Sequence, residues 1–147
     1  MGIVERLNED MKQAMKDQDK FRLSVIRMLR SAIKNAEIDK RKPLGEDEAV
    51  EVLSRELKLR QDSLQDFERG GRADLADNIR KEIAVIREYL PRPLSEEELT
   101  ELVERAIRDT GASSKADIGK VMAVLMPQVK GRADGRHVQR LVQERLS

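Results

Sequence analysis

Apolar residues recur every three or four positions along almost the whole chain, and this spacing limits what the chain can fold into. The spacing places them on one side of an α-helix, whereas a half-buried strand needs strict alternation, which no segment shows. The pattern is interrupted at Pro91-Arg92-Pro93, a strong signal for a break between structural units. We therefore predict an all-α, multihelical protein with an N-terminal four-helix domain at residues 1–92 and a C-terminal three-helix domain at residues 93–147.

Start and stop signals divide the two domains into individual helices. Asp19 is suited to cap the second helix, and Ser95 with Glu98 forms a capping box for the fifth. A Gly-Gly pair at 70–71 separates the third and fourth helices, which predicts an antiparallel hairpin. Pro127 is expected to end or kink the sixth helix. The third helix is expected to bury an apolar stripe along its whole length: Val50, Leu53, Leu57, Leu64 and Phe67.

The residue types that are missing exclude several classes of chemistry. The chain has no cysteine, so disulfides, thiol catalysis and cysteine-ligated zinc are excluded. His137 is the single histidine, which excludes a catalytic triad, and we expect it on the surface. The consecutive acids at 96–98 point in different directions on a helix, so they suit the helix dipole better than a metal ion. No nucleotide-binding motif, signal peptide or membrane-length apolar run is present. We expect no catalytic residue, no cofactor, no metal, no membrane contact and a cytoplasmic location.

Positive charge is concentrated locally, although the net charge is only +1. Residues 20–42 contain eight basic and two acidic side chains. A row of these bases can bind consecutive phosphates of a nucleic acid. The alternative is a solvated face that pairs with acids of the third helix, such as Glu51 or Glu56. Four of the bases share one face of the second helix: Arg27, Arg30, Lys34 and Arg41.

The segment KGRADG at residues 130–135 allows two interpretations. In the first it is an anion site, because glycines let a backbone approach a phosphate and the last helix presents free N–H groups. In the second, Gly131 stops one helix and Asp134 caps the next. The anion-site interpretation uses five residues: Lys130, Gly131, Arg132, Gly135 and Arg136.

Residues 118–146, which read IGKVMAVLMPQVKGRADGRHVQRLVQERL, resemble the tail shared by the GatB/YqeY family. Residues 19–44 and 89–99 also resemble YqeY proteins, so the resemblance to YqeY covers nearly the whole chain. The resemblance to GatB is confined chiefly to the C-terminal segment. The matching positions of that segment are Gly119, Met126, Lys130, Gly131, Ala133, Asp134, Val138 and Leu141.

The resemblance implies a non-catalytic tRNA-binding or tRNA-associated accessory module, because the GatB tail belongs to a tRNA-binding subunit. Its implied partners are tRNA and a translation-related protein. Three aromatic residues cannot form a base-stacking platform, so the shape and phosphates of a folded RNA would be recognised. The alternatives are a helical protein-interaction adaptor and, by family resemblance alone, amidotransferase-related carbon–nitrogen ligation with glutamine as the amide donor. The implied RNA contacts are the five turn residues, with Arg27, Arg30 and Lys34 as a second surface.

Overall fold

The fold is given by a computed structural model that describes residues 1–146. These residues form seven α-helices, a short 3-10 helix at Lys115–Asp117 and no β-strand, which confirms the all-α prediction. The helices are α1 (Ile3–Lys16), α2 (Lys20–Lys40), α3 (Glu46–Arg69), α4 (Ala73–Arg87), α5 (Glu96–Thr110), α6 (Ile118–Val129) and α7 (Gly135–Arg145).

The helices group into two compact units, Met1–Leu90 with α1 to α4 and Pro91–Ser147 with α5 to α7. The division falls two residues before the boundary expected at residue 92. Independent folding of the two units stays a prediction, which is taken up below.

In the first unit, α2 packs against α1, α3 and α4. Its apolar residues occupy more than one side, so it can bury contacts with several neighbours. Asp19 caps it as expected, since its carboxylate accepts the backbone N–H of Arg22 at 3.1 Å. Burying an aliphatic side chain stabilises the fold by roughly 1.5–3 kcal/mol, so the large buried side chains of this unit contribute strongly to its free energy of unfolding. The fully buried large side chains of this unit are Leu7, Ile26, Leu29, Leu53 and Ile86.

The start of α1 is capped from a distant part of the chain. Both carboxylate oxygens of Glu46 accept the backbone N–H of Ile3 at 3.1 Å. A Cβ atom on Gly2 would come too close to one of these oxygens, so a larger residue there would require the flexible Glu46 side chain to move aside. Glu46 therefore serves two helices, because it also supplies negative charge to the first turn of α3.

The end of α4 is held by a polar cluster beside the buried ring of Tyr89. The Tyr89 hydroxyl donates to the Asp10 carboxylate, and the Arg6 guanidinium lies 4.9 Å from the ring centroid. Arg22 forms an ion pair with Glu88 at 2.7 Å. These contacts link the last residues of the unit to α1 and α2.

The α3–α4 hairpin differs in part from the expected burial pattern. Gly70 and Gly71 end α3 as predicted, and Gly71 has a φ of +68°. However, the buried residues of α3 are confined to its first third, at Ala49, Val52 and Leu53. Leu64 and Phe67 are only half-buried. The prediction of a stripe buried along the whole helix was therefore wrong, because the later turns of α3 lie beyond the core.

In the second unit, three helices enclose one apolar core, with the buried residues of each spaced three or four apart. The capping box is confirmed: Ser95 Oγ accepts the N–H of Glu98 at 3.1 Å, and the Glu98 carboxylate accepts the N–H of Ser95 at 3.2 Å. The core residues are Leu99, Val103, Ala106, Val121, Leu125, Val129, Val138, Val142 and Leu146.

Pro127 does not end α6, which continues to Val129. Proline removes one backbone hydrogen bond and is disfavoured inside a helix. Val129 is fully buried in the three-helix core, and this burial favours the additional helical residues.

Candidate nucleic-acid interface

The KGRADG turn forms a tight connection between α6 and α7. Gly131 has a φ of +75°, a conformation that glycine adopts without steric cost. Arg132 turns back towards the proline segment: its Nε donates to the carbonyl of Arg92 at 2.9 Å. Its own carbonyl accepts the N–H of Leu94 at 2.9 Å. Part of the Arg132 guanidinium is therefore occupied within its own unit.

Two carboxylates lie at the positive end of α7, where an anion site would be. Asp134 caps the helix by accepting the N–H of Arg136 at 2.9 Å. His137, in the first turn of α7, contacts Glu96 with 2.5 Å between Nε2 and Oε1. Both carboxylates repel a phosphate that approaches the same helix end. The interpretation of this turn as a helix stop followed by a cap is thus confirmed.

Phosphate binding at the turn itself stays a prediction. The side chains of Lys130 and Arg136 are exposed. Gly135 is the first residue of α7, and a Cβ atom there would meet the Met126 methyl group at an ordinary 3.7 Å. Space alone therefore does not require glycine at position 135.

The basic face of α2 borders a cleft of about 450 Å³, which we call the α1–α2 cleft. The three bases Arg27, Arg30 and Lys34 are brought together along one side of it, and we call them the basic wall. Arg41 does not line it; it follows α2 as a left-handed cap with a φ of 56°. The other residues that line the cleft are Val4, Leu7, Asn8, Ser31, Ile33 and Glu37.

The basic wall has few partners within the fold. Arg30 donates through Nε to the Asn8 amide oxygen at 2.8 Å and through a terminal nitrogen to Met11 Sδ at 3.2 Å. Among residues 1–146, none of the three bases forms an ion pair with a carboxylate. Of the two acids named for the alternative of a paired, solvated face, Glu56 instead binds Arg60 on its own helix at 2.6 Å.

Several residues of the cleft were not predicted from the sequence. Asn8 and Val4 come from α1 and meet α2 only through tertiary packing. Ser31 and Glu37 lie on α2, where nothing in the sequence distinguishes them from other polar surface positions. The helical period indicated which bases share a face, but it did not indicate that α1 would build a concave site beside them.

Within the part of the chain that the structure describes, no three acidic or histidine side chains are arranged to bind a metal ion. No described helix combines the length and hydrophobicity needed to cross a bilayer.

The fold and its surfaces define a class of protein: a small all-α protein of two helical units, with a basic wall beside a cleft in the first unit. The chain belongs to the YqeY family, whose model, described as "Yqey-like protein", matches residues 4–146.

Similar proteins include several named "Altered inheritance of mitochondria protein 41, mitochondrial". The protein from Pyrenophora tritici-repentis is 31% identical over 147 residues, covering 97% of this chain and 80% of the relative. The Kluyveromyces lactis protein is 32% identical over 135 residues, which cover 89% of this chain and 69% of the relative. The Lachancea thermotolerans protein is 38% identical over 91 residues, covering 61% of this chain and only 49% of the relative.

The comparison contradicts the cytoplasmic location expected from the sequence, because these relatives are named as mitochondrial proteins. The expectation rested on the absence of cysteine and on the prediction that the N-terminal residues are not a signal peptide. Neither feature distinguishes the cytosol from other reducing compartments.

Proposed function

We propose that this protein is a non-catalytic, tRNA-associated accessory module that binds the phosphates of folded RNA through the basic wall. The observation that carries the proposal is the set of three neighbouring cations, none of which has an ion-pair partner among residues 1–146. Cations that are not neutralised within the fold are available to replace the counterions of a phosphate backbone. The association with tRNA rests on the resemblance to the GatB tail.

The spacing of the basic wall suits a phosphate backbone. Lys34 follows Arg30 by four residues and Arg27 precedes it by three, so neighbouring side chains are about 5–6 Å apart at Cβ. Long, flexible side chains at that separation can reach successive phosphates of one nucleic-acid strand.

The C-terminal turn is the second surface of this proposal, with Lys130, Arg132 and Arg136 as its basic side chains. Its contribution is expected to be smaller. The Arg132 guanidinium donates to Arg92, and the carboxylates of Asp134 and Glu96 lie at the start of α7. These groups reduce the positive potential available to a phosphate.

The proposal predicts RNA binding that is modest, sensitive to salt and largely independent of base sequence. Neutralising about three phosphates gives a slope of roughly −2 to −3 for log K against log salt concentration. Replacing Arg27, Arg30 and Lys34 by alanine should flatten that slope. Binding of a folded tRNA is measured by fluorescence anisotropy across a salt series, and circular dichroism confirms that the helices are intact.

A matched control removes the same charge elsewhere in the first unit. Arg55, Lys81 and Arg87 are exposed and lie outside the cleft. Their replacement by alanine should leave the salt slope nearly unchanged. A third variant, with Lys130, Arg132 and Arg136 replaced, compares the two surfaces. Equal loss in the control variant, or no tRNA binding by the wild type at low salt, would contradict the proposal.

The other two functions have distinct signatures in the same experiments. If tRNA is not bound, the helical adaptor becomes the leading function, and the basic wall then meets an acidic partner or solvent. Amidotransferase-related activity requires turnover with ATP, glutamine and misacylated tRNA that a substitution in this chain abolishes.

A further inference from the structure

We infer that the α1–α2 cleft binds one unpaired nucleotide, with its phosphate against the basic wall and its base and ribose over the aliphatic floor. This inference rests on the proposed function and specifies the part of the RNA that enters the site. The chemical unit is a nucleoside monophosphate. It can come from a single-stranded end or loop of an RNA, or from a free nucleotide.

The size of the cleft favours a small occupant. Its volume of about 450 Å³ is in the lower part of the range for small-molecule sites, roughly 300–1,000 Å³. This volume suits a ligand of the size of one nucleotide, whereas a duplex backbone would contact chiefly the rim of the cleft.

The basic wall is arranged to bind a phosphate. The bonds from Arg30 to Asn8 and Met11 fix the position of its guanidinium. Two of its five N–H donors are used in these bonds, so three are available to an anion. Arg27 and Lys34 flank it one turn away on each side, and both are exposed. A single phosphate beside Arg30 is thus within reach of the Arg27 side chain on one side and the Lys34 side chain on the other.

The floor of the cleft suits the uncharged part of a nucleotide. Its accessible part is Val4, which is half-buried, and the buried side chains of Leu7 and Ile33 lie beneath it in the core. None of the lining residues that the structure describes is aromatic, so the base would contact aliphatic groups and the planar guanidinium of Arg30. Such contacts tolerate every base, which agrees with the expected independence of sequence.

Glu37 determines the orientation in which a nucleotide would lie in the cleft. It lies ten residues after Arg27 on α2, about 15 Å along the helix axis. One of its carboxylate oxygens accepts the N–H of Leu44 at 3.1 Å, which fixes the side chain. The negative charge repels a phosphate and accepts hydrogen bonds from ribose hydroxyls, as acidic residues do in dinucleotide sites. The phosphate is therefore placed towards Arg27 and Arg30, and the ribose towards Glu37.

The test compares two RNA hairpins that differ only in a single-stranded 3′ extension. The wild type is expected to bind the extended hairpin about ten-fold more tightly than the blunt one, about 1.4 kcal/mol. Ser31→Trp fills the cleft without removing charge and should abolish that preference, leaving the blunt hairpin within about two-fold of wild type. Asn35→Trp is the matched control, because Asn35 is exposed on α2 and does not line the cleft. It should retain the preference.

A second variant tests the orientation. Glu37→Gln keeps an oxygen acceptor for Leu44 and removes the charge. It should reduce the preference for a ribonucleotide extension over a deoxyribonucleotide extension, since the carboxylate no longer selects the 2′-hydroxyl. Retention of the full preference in this variant would contradict the proposed orientation.

Titration with adenosine monophosphate, followed by NMR, separates the two sources of the nucleotide. Shifts confined to α1 and α2, together with the preference for the extended hairpin, support an RNA nucleotide in the cleft. Shifts without any RNA binding support a free nucleotide and overturn the proposed function. Equal binding of both hairpins by the wild type, without shifts, overturns this inference and leaves the proposed function intact. Absence of both RNA binding and shifts overturns both.

Discussion

Tyr89 couples the end of the first unit to its first two helices through a buried ring and one hydroxyl. Burial, followed by the hydrogen bond to Asp10, raises the pKa of Tyr89 well above its usual value of about 10. Its neutral form is therefore favoured in the folded state. The contribution of the neutral Tyr89 hydroxyl to folding stability is fully present below about pH 10. It is lost as the pH rises above that value, because Tyr89 of the unfolded chain loses its proton at a lower pH than Tyr89 of the folded chain.

Tyr89 is the single tyrosine and the chain has no tryptophan, so tyrosinate absorbance reports this residue alone. We expect the native protein to show no tyrosinate at pH 10 and the urea-unfolded protein to titrate near that pH. Tyr89→Phe should destabilise the protein by roughly 1.5–3 kcal/mol, the range for a hydrogen bond to a charged group. Ordinary titration of the native protein near pH 10 would contradict the burial of this ring.

The lowered pKa of Glu98 predicts how the stability of the second unit changes with falling pH. The hydrogen bond from Arg92, at 2.9–3.0 Å, and the bonds within the capping box lower the pKa of Glu98 from 4.5 to about 2. The ionised Glu98 carboxylate stabilises the second unit above about pH 4.5, and this contribution is lost as the pH falls towards 2.

Glu98→Gln should lower stability at neutral pH and flatten its dependence between pH 5 and pH 2, because glutamine keeps the capping box without the charge. Urea unfolding followed through amide signals of residues 95–146 measures this. An unchanged pH dependence in the variant would show that Glu98 is not the titrating group.

At the scale of the helices, two glycines of the second unit should respond oppositely to alanine. Gly111 ends α5 with a φ of +68°, and no atom of residues 1–146 lies within 4 Å of a Cβ added there. Gly111→Ala should therefore destabilise the unit by roughly 1–2 kcal/mol through backbone strain alone. Gly119 lies in the first turn of α6, also with open space around it, and Gly119→Ala should stabilise by about 0.5 kcal/mol.

Urea unfolding of the two variants tests this pair. Each variant adds the same methyl group to the same unit, so the two serve as controls for each other. Destabilisation of both variants to the same extent would indicate a packing effect rather than a backbone effect.

At the scale of the whole molecule, the boundary near residue 90 predicts two units that unfold separately. The proline segment is fixed to the second unit, since Arg132 Nε donates to the Arg92 carbonyl and the Arg92 guanidinium binds Glu98. Limited proteolysis should therefore cut close to Leu90 and leave two protected fragments, of about 90 and 57 residues.

A fragment of residues 91–147 should retain helical circular dichroism and a cooperative transition, because it contains a complete apolar core. Protection of the intact chain across residues 88–94, with a single unfolding transition, would indicate one cooperative domain.

The helical pattern of the sequence determined the number of helices, most of their ends and the short hairpin connection. These features depend on local chemistry: apolar spacing, the Asp19 and Ser95 caps, and glycines at left-handed positions. The row of bases on α2 was equally predictable, because residues three and four apart share a face.

Other features depended on contacts between distant residues, which local patterns do not contain. Glu46 caps α1 from across 43 residues, and buried Val129 extends α6 past Pro127. The largest change concerns the candidate site. The sequence favoured the C-terminal turn, but Asp134 and Glu96 place negative charge there. Only packing of α1 beside α2 turned a row of bases into a cleft with an aliphatic floor, since helical periodicity specifies a face but not its neighbour.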